Sequence, residues 1–234
     1  MISGLQKMTL LDFPGKVACT VFLQGCNFRC PFCHNSDLLG KGNEPFMTPD
    51  DLLAFLSKRV GLLDGVCVSG GEPTLSPELE NLLRSIKVLG FAVKLDTNGS
   101  NPALLKKLVG DGLVDYVAMD VKNSPAAYPE TVGLSRVNME ALEESLGFLM
   151  EETVPYEFRT TVVAELHSEA TIQDMGQWLF SLSGGKKLKQ IYLQKFENRE
   201  SVLLDGLHSP EFSQLQRYQE LLRPYFDTVA IRGE

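Results

Sequence analysis

One pattern limits what this chain can fold into: short apolar runs alternate with capped amphipathic stretches along its length. The runs are residues 17–22, 65–69, 92–96, 116–120, 156–163 and 190–194, and a last short one covers 228–231. Most are near-continuously apolar, which predicts strands covered on both faces. Each of the first six is followed by a helical stretch. Thr48-Pro49-Asp50-Asp51 reads as a cap, a proline at the first helical position and an acid behind it. Ser76-Pro77 and Asn101-Pro102 repeat the signal, and residues 139–150, 172–182 and 210–226 supply the remaining apolar faces. Six strand–helix units in a row imply an α/β protein with a parallel sheet and right-handed crossovers. A doubly wound sheet and a partial barrel both satisfy the pattern. In either, chemistry belongs at the C-terminal ends of the strands.

Composition narrows the function. A formal net charge of −8 with no basic stripe argues against a broad nucleic-acid face. The patch Lys186-Lys187-Leu188-Lys189 reads as a solvated loop. No apolar run approaches the ~20 residues of a membrane helix, and the first ten residues lack a signal-peptide core, so a cytoplasmic protein is expected. Five cysteines in a chain this long favour ligands or buried thiols over disulfides.

Three of those cysteines stand out. Cys26-Asn27-Phe28-Arg29-Cys30-Pro31-Phe32-Cys33 follows the first apolar run, where an active face is expected. C-x3-C-x2-C can reach three corners of a cubane and leave one iron open for chemistry. A structural zinc site with His34 as fourth ligand is the competing reading. Further on, Gly70-Gly71-Glu72-Pro73 ends the second run, where glycines allow close approach and free amides can bind a polar group; a plain turn is equally consistent. Asp96 and Asp120-Val121-Lys122 end the next two runs, so four successive strands place polar or ligating groups on one rim.

Taken together, the cysteine spacing, the aromatic Phe32 before the last cysteine and the Gly-Gly-Glu-Pro run resemble the radical S-adenosylmethionine (SAM) superfamily. The opening residues 2–16 and Cys33-His34-Asn35 are similar to glycyl-radical activating enzymes, above all the longer type that activates anaerobic ribonucleoside-triphosphate reductase. The resemblance implies a partial (β/α)6 TIM-like barrel in one core domain, residues 1–234. It implies a [4Fe-4S] cluster on Cys26, Cys30 and Cys33, and SAM held by Phe32, Asn35, Gly70, Gly71, Glu72, Asp96, Asp120, Lys122 and Arg159. A monovalent cation beside the SAM carboxylate is a further implication, for which Asp96, Thr97 and Asp120 match. The implied activity is reductive cleavage of SAM to a 5′-deoxyadenosyl radical and formation of a glycyl radical on a partner, with a flavodoxin- or ferredoxin-type electron donor. Action on another glycyl-radical enzyme, a peptide or a small molecule is the alternative.

Two departures bear on the partner. The formate-lyase activases continue His-Asn-x-Asp-Thr-Trp, where this chain reads His34-Asn35-Ser36-Asp37-Leu38-Leu39, and they place a histidine where this chain has Gln194. Cys19 and Cys67 lie in apolar runs and read as buried thiols, too few for a second cluster.

Overall fold

A computed structural model describes residues 1–40 and 45–233. Seven strands pair in parallel and in chain order: β2 (Ala18–Leu23), β3 (Gly65–Gly70), β4 (Ala92–Thr97), β5 (Tyr116–Asp120), β6 (Tyr156–Val162), β7 (Leu188–Lys195) and β8 (Phe226–Arg232). An eighth, β1 (Ile2–Thr9), runs antiparallel along the outer edge of β2. The unbroken order decides between the two architectures. A doubly wound sheet reverses its strand order at a switch point, and none occurs here. With right-handed crossovers every helix then lies on the same side of the sheet, which curls into a partial barrel. Among the described residues no pairing joins β8 to β1, so the barrel keeps an open seam.

The helices follow their strands as expected: α1 (Pro49–Ser57), α2 (Leu79–Val88), α3 (Pro102–Gly110), the short α4 (Tyr128–Thr131) before α5 (Met139–Met150), α6 (Glu169–Leu182) and α7 (Phe212–Leu222). Thr48 caps α1 in a reciprocal box with Asp51, and the Asn101 side chain accepts from the Leu104 amide at the start of α3. Ser76-Pro77 does not cap α2 directly. Ser76 closes a 3-10 turn over Pro73–Leu75, and α2 begins at Leu79.

Two features differ from the expected pattern. β1 is absent from it, because an exposed edge strand with Gln6, Lys7 and Met8 facing water has little apolar periodicity. The strands are also not apolar on both faces. Val93 and Leu95 of β4 are fully buried in the hydrophobic core, but the alternate residues Lys94 and Asp96 join a charged interior with Arg159 of β6. Glu157, only 1% exposed, forms a two-pronged ion pair there with Arg232 at 2.8 and 2.9 Å.

Candidate active site

The segment after β2 carries the cysteines and holds little regular structure beyond a 3-10 turn at Ser36–Leu38. It is fixed by backbone bonds at both ends. Gly25 donates to Leu38 O at 2.8 Å, and the amide of Glu72 donates to Gly25 O at 2.7 Å. Gly71 packs so closely here that a Cβ would sit 2.1 Å from Gly25 O and 3.2 Å from the Cys26 Cβ. Gly70 has φ +123°, and its Cβ would fall 2.3 Å from Leu23 O. The glycine pair is therefore required by close approach, which a plain turn would not need. The Gly71 amide donates to Leu23 O at 3.0 Å, so the amides of both Gly71 and Glu72 are already used within the protein. What this turn has left to offer a ligand is carbonyl oxygen, suited to an ammonium group, whereas the sequence suggested free amides.

At the C-terminal ends of β2 to β7 lies a cavity of about 230 Å³. It brings together Cys26, Cys30, Cys33, Phe32, Asn35, Gly70, Gly71, Asp96, Asp120, Lys122 and Arg159, all named from the sequence. Glu72 is the exception. Its carboxylate is 1% exposed and lies outside the lining. It accepts from Thr74 N (3.1 Å), Thr74 Oγ1 (2.6 Å), Thr97 Oγ1 (2.8 Å) and Asn98 N (2.6 Å), joining the end of β3 to the end of β4. Ser69, Asn98 and Thr161 also line the cavity and were not foreseen. Ser69 and Thr161 stand two residues from Cys67 and Arg159, and the period of two along a strand was the available signal.

A ladder of alternating charge forms one wall. Arg159 Nε lies 2.9 Å from Asp120 Oδ1 and its Nη1 3.1 Å from Asp96 Oδ2. Lys122 pairs with Asp120 at 2.9 Å, Lys94 pairs with Asp96, and Ser69 donates to Asp96 at 3.1 Å. Burial pushes both carboxyls up, but the Arg159 charge outweighs it, helped by Lys94 at one and Lys122 at the other. Both are held below the usual carboxylate range and stay ionised. On the cavity wall itself Arg159 and Lys122 balance Asp96 and Asp120, and the buried Lys94 adds a third cation behind Asp96. The carboxylates matched to a monovalent cation are thus balanced by the protein's own side chains, and Thr97 is bonded to Glu72.

The segment after β7 packs against the cysteine-bearing segment as a strap. Leu204 N donates to Pro31 O at 3.0 Å, Ser201 Oγ to His34 O at 2.8 Å, and Ser36 Oγ to Ser201 O. The His34 ring stacks on Phe196 with centroids 5.5 Å apart and meets Glu197 O at 2.7 Å. Phe32 sets its edge against the same Phe196 ring. Below this strap a second cavity of about 600 Å³ occupies the seam, reaching from Leu11 and Asp12 to Arg232. It shares His34, Arg159, Thr161 and Gln194 with the first.

Residues 20–179 match the family described as the radical SAM superfamily. The chain belongs to the radical SAM superfamily. A Methanocaldococcus jannaschii protein named for glycyl-radical enzyme activation is 30% identical over 99% of this chain and 95% of its own length. The Escherichia coli K12 pyruvate formate-lyase 1-activating enzyme is 25% identical over 96% and 95%. Among solved structures, a domain of a Bacteroides vulgatus pyruvate-formate lyase-activating enzyme superposes with TM-score 0.58 at 20% identity, covering 72% of this chain and 99% of that one. Streptococcus suis SuiB bound to its precursor peptide gives 0.70 at 14%, covering 92% and 48%. At such identities these two structures show the shared fold.

Radical SAM proteins use a [4Fe-4S] cluster and S-adenosylmethionine, and the site fits both. Cys26, Cys30 and Cys33 are free thiols on one cavity. Burial pushes the Cys30 thiol up to about 12 and raises Cys26, which keeps both protonated until a metal cation binds the sulfur and displaces the proton to solvent. Among the described residues no three His, Cys, Asp or Glu side chains gather tightly enough for one metal ion. A cubane does not ask for that, because each thiolate binds its own iron. The Arg159 and Lys122 side chains and the carbonyls of the glycine turn suit the carboxylate and ammonium of a methionine moiety.

Proposed function

We propose that this protein is a glycyl-radical activating enzyme and that its partner is an anaerobic ribonucleoside-triphosphate reductase. The observation that carries the first part is that the cofactor cavity lies against the larger one along the barrel seam, with His34, Arg159, Thr161 and Gln194 in both walls. A partner's glycine loop needs such a seam, which a closed barrel around a small substrate would lack. The full-length likeness to activating enzymes supports the same reading. The choice of reductase rests on the likeness of residues 2–16 and Cys33-His34-Asn35 to its activators, while Ser36-Asp37-Leu38-Leu39 and Gln194 depart from the formate-lyase type. The 25% identity to a formate-lyase activase favours, as a second reading, another glycyl-radical enzyme as partner.

In this reading residues 1–234 are one core domain, and Cys26, Cys30 and Cys33 would hold the [4Fe-4S] cluster with SAM beside it. The bound pair, given one electron by an external flavodoxin- or ferredoxin-type donor, supplies methionine and a 5′-deoxyadenosyl radical, which takes a hydrogen atom from a glycine α-carbon and leaves as 5′-deoxyadenosine. Arg159 and Lys122 receive the cosubstrate carboxylate, with Asp96 and Asp120 holding both cations in place. The carbonyls of Gly70 and Gly71 accept from its amino group. Phe32 and Asn35 line the adenosine side, and Asn35 Nδ2 is itself fixed on Gly70 O at 3.2 Å. Glu72 acts through its backbone and the bonds of its buried carboxylate. The strap braces the thiol-bearing segment at Pro31 and His34, and the docked partner covers the seam.

The test uses protein reconstituted with iron and sulfide, SAM and dithionite, with and without the reductase. Release of 5′-deoxyadenosine, and an electron paramagnetic resonance doublet on the reductase, are expected. No 5′-deoxyadenosine rejects the enzyme reading. Its release with a radical only on a different glycyl-radical enzyme rejects the choice of reductase.

A further inference from the structure

We propose that Asn27 and Asn98 are positioning residues for the iron–sulfur cluster, forming a clip that carries the fixed placement of Glu72 to Cys26. The inference rests on the cluster assignment of Cys26, Cys30 and Cys33. Asn98 is 5% exposed and lines the cofactor cavity, where an asparagine could serve as a ligand-binding amide. Its hydrogen-bonding groups are already committed elsewhere. The backbone N–H donates to the buried Glu72 carboxylate at 2.6 Å. Oδ1 accepts from Ser100 N at 3.0 Å, and Nδ2 donates to Asn27 Oδ1 at 2.9 Å. Asn27 Nδ2 in turn donates to Ser100 Oγ at 2.9 Å. The result is a closed ring of polar contacts between the turn after β4 and the residue that follows the first cysteine.

The anchor of this ring is rigid, because all four bonds to the Glu72 carboxylate come from buried groups. The free end is where orientation matters. Asn27 lies between Cys26 and Phe28, and the Phe28 amide donates to Cys26 Sγ at 3.4 Å. A rotation of Asn27 therefore moves both the first thiol and the N–H aimed at it. An amide donating to a ligand sulfur tunes a cluster as well as placing it. The Asn27 side chain is exposed and buries no apolar surface, so its conformation is specified by the ring and contributes nothing to the core.

The experiment compares wild type with Asn27→Ala, Asn98→Ala and the double variant, each reconstituted anaerobically. The readouts are the rate of iron loss to a ferrous chelator and the paramagnetic resonance line shape of the reduced cluster. Each single variant is expected to lose iron roughly ten- to a hundredfold faster, the usual effect of removing a partner behind a metal ligand. The double variant should be no faster than the faster single, because both break the same chain. Release within about twofold of wild type, or effects that multiply in the double variant, overturns the clip. If Asn98→Ala fails to fold, Asn27→Ala and Ser100→Ala decide by the same criterion. A wild type that takes up no cluster overturns the underlying assignment instead, and the two failures are told apart by its iron content.

Discussion

Arg159 Nη1 lies 3.1 Å from Asp96 Oδ2, although β5 separates their strands. The contact exists because the sheet curls, and the guanidinium spans the gap by bonding to Asp120 on the way. This one side chain sets the charge of the wall.

Replacing Arg159 by alanine leaves two carboxylates with part of their compensation gone in a mostly buried site. The apoprotein should lose about 3 kcal/mol, near the lower end for breaking a buried pair, since Asp96 and Asp120 are 14% and 27% exposed. Chemical denaturation followed by Trp178 fluorescence measures it. Arg159→Lys should recover only part, because an ammonium cannot reach both acids.

His167 gives the protein a specific sensitivity to mild acid. Its ring is 3% exposed and joins two strand ends, with Nε2 at 2.9 Å from Lys122 O and the Val163 amide donating to Nδ1 at 3.1 Å. Burial lowers its pKa despite those partners, so the folded ring stays neutral where the unfolded ring begins to protonate. The unfolded state then binds more protons, and stability is full above the ordinary histidine value of about 6.5 and falls as pH drops below it. The slope contributed by one proton is at most about 1.4 kcal/mol per pH unit. Denaturation midpoints from pH 8 to 5.5 should show the decline, and His167→Gln should flatten it.

Gly71→Ala should separate cluster loading from folding. The added methyl meets Gly25 O at 2.1 Å and must push the cysteine segment outward. Overpacking of this kind costs about 1–3 kcal/mol, small enough for the barrel to survive. Far-UV circular dichroism should stay close to wild type while reconstituted iron per chain drops by about half or more. Normal loading would show that the segment yields without losing its thiol arrangement.

The five cysteines should divide cleanly. Cys19→Ala and Cys67→Ala remove fully buried thiols away from the cofactor cavity and should load iron as wild type does, at a cost of about 1 kcal/mol each. Cys30→Ala should abolish the cluster. Iron and sulfide analysis after anaerobic reconstitution reads both results.

Much of the architecture is legible in the chain because apolar runs mark the strands and cap-then-proline signals open several of the helices between them. Thr48 and Asn101 mark their helices in this way. The position of the site followed from topology, since Cys26, Gly70, Asp96 and Asp120 each end or follow successive strands. What stayed hidden depends on contacts distant in sequence. β1 has no pattern of its own and exists only by pairing with β2. Glu72 looked like a ligand residue, and only the fold shows its carboxylate committed to Thr74, Thr97 and Asn98. His167 leaves no signal in the sequence because both partners of its ring are backbone atoms.

The strap has a consequence for how the protein matures. Ser36 and His34 are held by Ser201, 165 and 167 residues further along the chain. Until the last third of the polypeptide has been synthesised and β7 has docked, that flank of the thiol-bearing segment lacks its bonds to Ser201 and is held by those of Gly25 to Leu38 and Asn35 to Gly70. Assembly of the inorganic core is therefore a late event, and a nascent or C-terminally truncated chain presents its sulfurs on a tether that is still loose.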